Sequence, residues 1–144
     1  WTVLEVTNLE YQDGIVYAAD AFNQENTGFP IAESFDGGVT WQESAEVENI
    51  ELKSPPLRDC GQLNPGICYR LTSIGILQEL GPERKWKNVE GVDPRCTDMI
   101  IFDWNDKEYV IVAIGEYGIM RRELPGGEWE VIHVLQADEP IEDQ

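Results

Sequence analysis

The sequence predicts an all-β chain assembled from repeated four-stranded antiparallel units. Four of its five tryptophans, Trp1, Trp41, Trp86 and Trp129, recur 40, 45 and 43 residues apart, each opening a short alternating run. A self-similar period of about 40–50 residues marks stacked supersecondary repeats. Between the tryptophans, segments rich in β-branched and aromatic residues alternate with Gly, Pro and Asn punctuation, as strands alternate with tight turns. No stretch carries a helical hydrophobic period; the nearest, 73–80, fits the strand template of its neighbours.

Trp1-Thr-Val-Leu stands where the last strand of a preceding unit would start. In the first unit, strands are expected over 6–11 and 15–19 about Asp13-Gly14. Beyond a polar loop at 21–28, two more follow over 30–35 and 40–44 about Asp36-Gly37-Gly38. Glycine and aspartate at these turns supply or tolerate the positive φ that tight hairpins need. The second unit offers strands at 50–53, then, after a long Pro-containing connection, at 67–72, 76–80 and 85–89, the last two joined around Gly81-Pro82. In the third, 99–104 and 109–114 flank Asn105-Asp106, and 119–124 and 129–135 flank Pro125-Gly126-Gly127. Residues 136–144 hold four acids and one proline and read as a frayed acidic tail.

Four-stranded units of this length are blades of a β-propeller, whose sheets stack radially about a central channel. Residues 1–135 therefore predict a β-propeller portion of three blades, 5–44, 45–89 and 90–135, plus a leading strand from a preceding blade. A solenoid would need shorter rungs, and a sandwich has no reason to repeat a tryptophan once per unit. Propellers close with about 4 to 8 blades. The chain is thus expected to be the C-terminal part of a larger propeller, or to complete a ring with a second copy. It begins without an initiator Met or leader, as a mature product or an excised piece would.

Composition narrows the partners. With 10 Lys+Arg against 28 Asp+Glu the formal net charge is −18, which disfavours nucleic acid and anionic lipid because polyphosphates are held through cationic contacts. No apolar run is long enough to cross a membrane, so no membrane insertion and a soluble globular body are expected. Cys60, Cys68 and Cys96 match no zinc spacing. Cys60 and Cys68 bracket a seven-residue loop that could close as one disulfide in an oxidising compartment; three reduced thiols are the alternative. The location stays open, leaning towards a secreted, periplasmic or cell-surface protein.

One motif carries a family signal. Ser34-Phe35-Asp36-Gly37-Gly38-Val39-Thr40-Trp41 resembles the Asp-box (BNR repeat), the Ser-x-Asp-x-Gly-x-Thr-Trp signature of propellers such as sialidases, sortilin-type receptors and photosystem II assembly factors. Worn copies precede Trp86 and Trp129, and the approach 114–121 resembles the segment before the box in the assembly-factor type. The resemblance implies hairpins away from the usual active-site face, so Ser34, Asp36, Gly37, Gly38, Thr40 and Trp41 are expected to be structural. Asp36 accepts from its own turn, the glycines supply positive φ, and Trp41 covers the seam between blades.

Sialidases hydrolyse terminal sialic acids with an arginine triad, a tyrosine–glutamate nucleophile pair and an aspartate acid. None of Arg58, Arg70, Arg84, Arg95, Arg121 and Arg122 stands in the Phe-Arg-Ile-Pro context of that family. Arg121 and Arg122 are adjacent on a strand and must point to opposite faces. Tyr69 and Glu79 read as a cross-strand polar pair. His133, the sole histidine, lies in an apolar run and reads as a core or edge residue. No catalytic set, metal site or cofactor site is expected. The favoured function is a non-catalytic scaffold for protein binding or complex assembly, its partner another protein or the remaining blades of the propeller. Alternatives are a sialidase-like secreted glycoside hydrolase with its catalytic residues outside this chain, or a carbohydrate-binding or receptor ectodomain. The expected partner face joins the second-to-third-strand connections to the interblade stretches, with Asp20, Asn23, Glu25, Asn26, Arg95, Glu116 and Tyr117 as its candidate residues.

Overall fold

The computed structural model describes residues 2–21, 31–44, 53–92 and 95–136, and no helix occurs among them. A short strand, β1 (Thr2–Val3), is followed by β2 (Asn8–Gln12), β3 (Ile15–Ala19), β4 (Ile31–Ser34) and β5 (Gln42–Glu43). Then come β6 (Leu57–Cys60), β7 (Cys68–Leu71), β8 (Leu77–Leu80) and β9 (Trp86–Asn88). The longest strands, β10 (Asp98–Trp104), β11 (Lys107–Ala113) and β12 (Ile119–Leu124), precede β13 (Glu130–Ile132) and β14 (Leu135–Gln136). Strands β2 to β5, β6 to β9 and β10 to β13 form three four-stranded antiparallel sheets in sequence order.

Local chemistry fixes these hairpins. The β2–β3 turn places Asp13 at φ 52° and Gly14 at 83°, and the β10–β11 turn places Asn105 at 55° and Asp106 at 64°. Two successive positive φ values match the right-handed twist of the flanking strands. Strand β11 is buried from Glu108 to Ala113, on both faces. Its side chains alternate between neighbours, as a pleated strand requires. Ile111 and Ala113, with Ile100, Phe102, Tyr109 and Ile119, meet Leu9, Val16, Ala18, Ala32 and Trp41 of the first sheet. Val110 and Val112, with Met99, Met120 and Leu124, meet Tyr69, Leu71 and Leu77 of the second. The third sheet in sequence is therefore the middle sheet in space.

Three expectations change. The strand proposed over 50–53 fails at Lys53, which is in no strand, while 50–52 lie outside the described residues. The first strand of the second sheet is Leu57–Cys60, inside the stretch read as a connection. Pro55 and Pro56 hid it by their lack of amide donors, and Arg58 and Asp59 hid it by being exposed. The leading strand, expected to come from a preceding blade, pairs in this chain with the last described strand: Thr2 pairs with Gln136 and Val3 with Leu135, and the Leu4 amide donates to the Val134 carbonyl at 2.7 Å. Gln136 is accordingly in a strand; the rest of the expected tail, 137–144, and Trp1 lie outside the described residues.

Candidate functional site

The turn at 34–41 closes on itself. The Asp36 carboxylate accepts from the Ser34 hydroxyl at 2.8 Å, the Val39 amide at 3.2 Å, the Thr40 amide at 2.9 Å and the Thr40 hydroxyl at 2.5 Å. The Ser34 hydroxyl accepts from the Gly38 amide at 2.9 Å, and the Trp41 indole donates to the Gly38 carbonyl at 2.9 Å. Burial pushes the Asp36 carboxyl up, but the Thr40, Ser34 and Val39 donors outweigh it and hold the group below the ordinary aspartate value. Gly37 and Gly38 stand at φ 75° and 92°. A Cβ on Gly38 would sit 2.6 Å from Ile111 Cδ1 of the middle sheet, and the Gly37 carbonyl accepts from Arg121 Nε at 2.8 Å. The turn is thus a docking point of the first sheet on the third. With its lone pairs engaged inside the turn, Asp36 is a poor base.

At the end of the stack where second strands turn into third strands, connecting segments cross from one sheet to the next. Val6 and Gly115 exchange amide–carbonyl bonds at 2.9 and 3.0 Å, and the Cys96 amide donates to the Gly75 carbonyl at 3.0 Å. Two clefts open here. One, of about 300 Å³, is lined by Glu5, Thr7, Arg95, Thr97, Gly115 and Glu116. The other, of about 320 Å³, shares Thr7 and Thr97 and adds Asn8, Ala21, Lys53 and Ser54. The structure therefore brings Arg95 and Glu116 into one cleft. Tyr117 tips the adjacent β11–β12 turn, 46% exposed. Asp20 is buried beside Ala21, whose amide donates to the Thr7 hydroxyl at 2.9 Å. Asn23, Glu25 and Asn26 lie outside the described residues. The candidate set lacked Ile74, which is 74% exposed at the β7–β8 turn; a branched apolar residue between Ser73 and Gly75 was its signal in the sequence.

Beneath the clefts, Asp98 is fully buried. It accepts from the Leu9 amide and the Met99 amide, both at 2.7 Å, and meets Lys53 Nζ at 3.2 Å. Burial nonetheless raises its carboxyl above the ordinary value. These bonds join strands β2 and β10 to the segment entering the second sheet. On the far side of the middle sheet, the Tyr69 hydroxyl donates to Glu79 at 3.1 Å and accepts from Arg122 Nη1 at 3.0 Å. Tyr69 and Glu79 are direct cross-strand partners, and burial, then the Glu79 charge, raises the phenol above its usual range. Arg121 faces the first sheet, bonding Glu130 at 2.8 Å, and Arg122 faces the second. The two guanidiniums cannot converge on one ligand. His133 is exposed between β13 and β14, at an edge.

A further anchor left no mark in the sequence. Glu108 of β11 accepts from the Gln62, Leu63 and Asn64 amides at 2.7, 3.2 and 3.0 Å and from the Asn64 side chain at 3.1 Å. The loop that supplies those amides is closed by a Cys60–Cys68 disulfide, and the third thiol, Cys96, is buried. Among the described residues, no three His, Cys, Asp or Glu groups are placed to hold a metal ion, and no helix is long and apolar enough to cross a membrane. Comparison with protein-family models, curated proteins and solved structures returned no match.

Proposed function

We propose that this chain is part of an Asp-box β-propeller acting as a non-catalytic scaffold, its three sheets the blades and its cleft-bearing end the docking face for another protein. The observation that carries the reading is the contrast between the two kinds of polar group. The strongly placed carboxylates, Asp36, Glu108 and Asp98, are each spent on holding a turn or joining sheets. The cleft end instead presents mixed charge, Arg95 with Glu5 and Glu116, flanked by the exposed Ile74 and Tyr117. An apolar pair rimmed by charge is the composition of a docking patch. Four-stranded antiparallel sheets in one stack, and a self-satisfied Ser34–Trp41 turn, support the blade reading.

The test uses the immobilised chain and its Ile74→Asp/Tyr117→Asp double variant. Proteins retained by the first and lost by the second, at unchanged melting temperature, are expected. Equal retention by both, or turnover of fluorogenic glycosides abolished by a single carboxylate substitution, would overturn the scaffold reading.

A further inference from the structure

The two faces of the second sheet differ in chemistry. Tyr69, Leu71 and Leu77 pack on the middle sheet, so alternation turns Arg70 and Gln78 to the other side. Arg58 stands directly opposite Arg70, Arg70 opposite Gln78 and Gln78 opposite Asn88, and directly opposed residues share a face. Trp86, two residues before Asn88, and its cross-strand partner Leu80 lie on that face too. Arg58 and Asn88 are exposed there, and Arg70, Gln78, Leu80 and Trp86 are half-buried.

This face holds a guanidinium in place. Arg70 lies over the Trp86 ring, 4.5 Å from its centroid, and Arg58 approaches the same ring at 5.6 Å. Arg70 Nε donates to the Gln78 side-chain oxygen at 2.6 Å, and Gln78 Nε2 donates to Asn88 Oδ1 at 2.8 Å. That bond through Nε leaves the two terminal nitrogens of Arg70 as a fork, the shape that receives a carboxylate. Arg58 also lines a cleft with Glu10, yet among the described residues no carboxylate forms an ion pair with either arginine. Like charges directly opposite on paired strands repel. Residues 57–88 hold five of the ten Lys and Arg but three of the 28 Asp and Glu, so the sheet does not cancel its own positive potential.

The molecule shows once what an arginine carried on a tryptophan takes. Arg122 lies over Trp129 at 5.7 Å. Its Nη1 reaches from the third sheet to the second, 3.6 Å from the Glu79 carboxylate and 3.0 Å from the Tyr69 hydroxyl. Arg70 on Trp86 repeats that arrangement at the end of the stack, with a second arginine beside it.

We propose that the Arg58, Arg70 and Trp86 face of the second sheet is a docking site for an acidic segment of a partner protein. Its carboxylates are received by the two guanidiniums and its apolar side chains by Trp86 and Leu80. The Arg122–Glu79 contact favours a protein carboxylate over other anions, and the apolar residues beside the fork give a peptide a hold that a small ion lacks. The site lies outside the cleft end and does not rest on the blade reading.

Heteronuclear NMR of the 144-residue chain, titrated with an acetylated and amidated Glu-Val-Glu-Val-Glu peptide, should shift the Trp86 indole and Arg70 Nε signals. Salt should reverse the shifts, and the matching Gln-Val-Gln-Val-Gln peptide should leave both signals in place. Arg70→Gln should weaken the glutamate peptide about tenfold, the loss expected on removing a charge-assisted hydrogen bond. Lys87→Gln, which removes a cation from the other face of β9, should leave the affinity unchanged. Unmoved signals, equal shifts with the glutamine peptide or equal affinity in Arg70→Gln would overturn the docking. Displacement of the peptide by inorganic phosphate at equal concentration would mark a small-anion site and overturn the protein partner. A light-scattering mass above 16.3 kDa that Arg70→Gln lowers would give the face to a second copy and overturn it as well. None of these outcomes touches the scaffold reading, whose readout is partner retention through Ile74 and Tyr117.

Discussion

Glu108 and Asp98 are both buried carboxylates on neighbouring strands, yet their protonation acts in opposite directions. Burial raises Glu108, but the Gln62, Asn64 and Leu63 donors more than offset it, so its folded value lies below the ordinary 4.5. A depressed folded value contributes stability that is present above the ordinary value and is lost as pH falls through the folded one. Asp98, raised by burial, favours its protonated form when folded, so acid relieves part of its cost. Glu108→Gln should therefore destabilise by about 1–3 kcal/mol at neutral pH, the usual cost of leaving buried donors under-satisfied. The gap from the parent should narrow in acid. Urea melts of both proteins on either side of the ordinary glutamate range check this; a pH-independent gap would contradict it. Trp41→Ala removes an aromatic ring from between two sheets and should cost about 3–5 kcal/mol.

At the scale of elements, the Cys60–Cys68 bridge spans directly paired residues of β6 and β7 and closes the loop whose amides hold Glu108. Closing so short a loop stabilises by about 2–3 kcal/mol through chain entropy. The Cys60→Ser/Cys68→Ser variant should lose about that much and should speed hydrogen exchange at Gln62, Leu63 and Asn64 before the middle sheet opens. Exchange that rises everywhere together would show that the loop is not a separate unit. Gly118, at φ 91°, admits no side chain, because a Cβ there would collide with the Ile132 carbonyl. Gly118→Ala should destabilise by more than about 1 kcal/mol. These elements were unequally legible. Ile15–Ala19 and Ile119–Leu124 match the expected bounds because β-branched residues run between unambiguous turns. Leu57–Cys60 was missed because Arg58 and Asp59, one on each face, are both exposed and mimic a loop. Glu108 was missed because a glutamate beside a turn reads as solvated; only its partners 44 to 46 residues away make it an anchor.

Over the whole molecule, the period of the tryptophans announced three sheets but not their order in space, since nothing local to a strand encodes which sheet will cover it. The middle place of the third sheet follows from its two cores, Ile111 and Ala113 packing on the first sheet and Val110 and Val112 on the second. The cleft end was partly legible: turn composition pointed to Arg95, Glu116 and Tyr117, and the bond from the Thr97 amide to the Ala113 carbonyl placed the first of these segments beside the second. Outside the sheets, β1 and β14 join the first described residues to the last. A chain ending at Val134 should therefore lose about 1–2 kcal/mol, the net worth of a few backbone hydrogen bonds, with its three sheets intact by circular dichroism.

The pairing of β1 with β14 also has a mechanical side. Strands are antiparallel there, and the outermost pair, Thr2 with Gln136, is the one next to both chain exits. A pull on the two ends thus loads the pairs one after another, as a zipper, instead of loading all of them at once in shear. The same two strands that join the ends at equilibrium would be the first to part under tension, at low force and ahead of the sheets behind them.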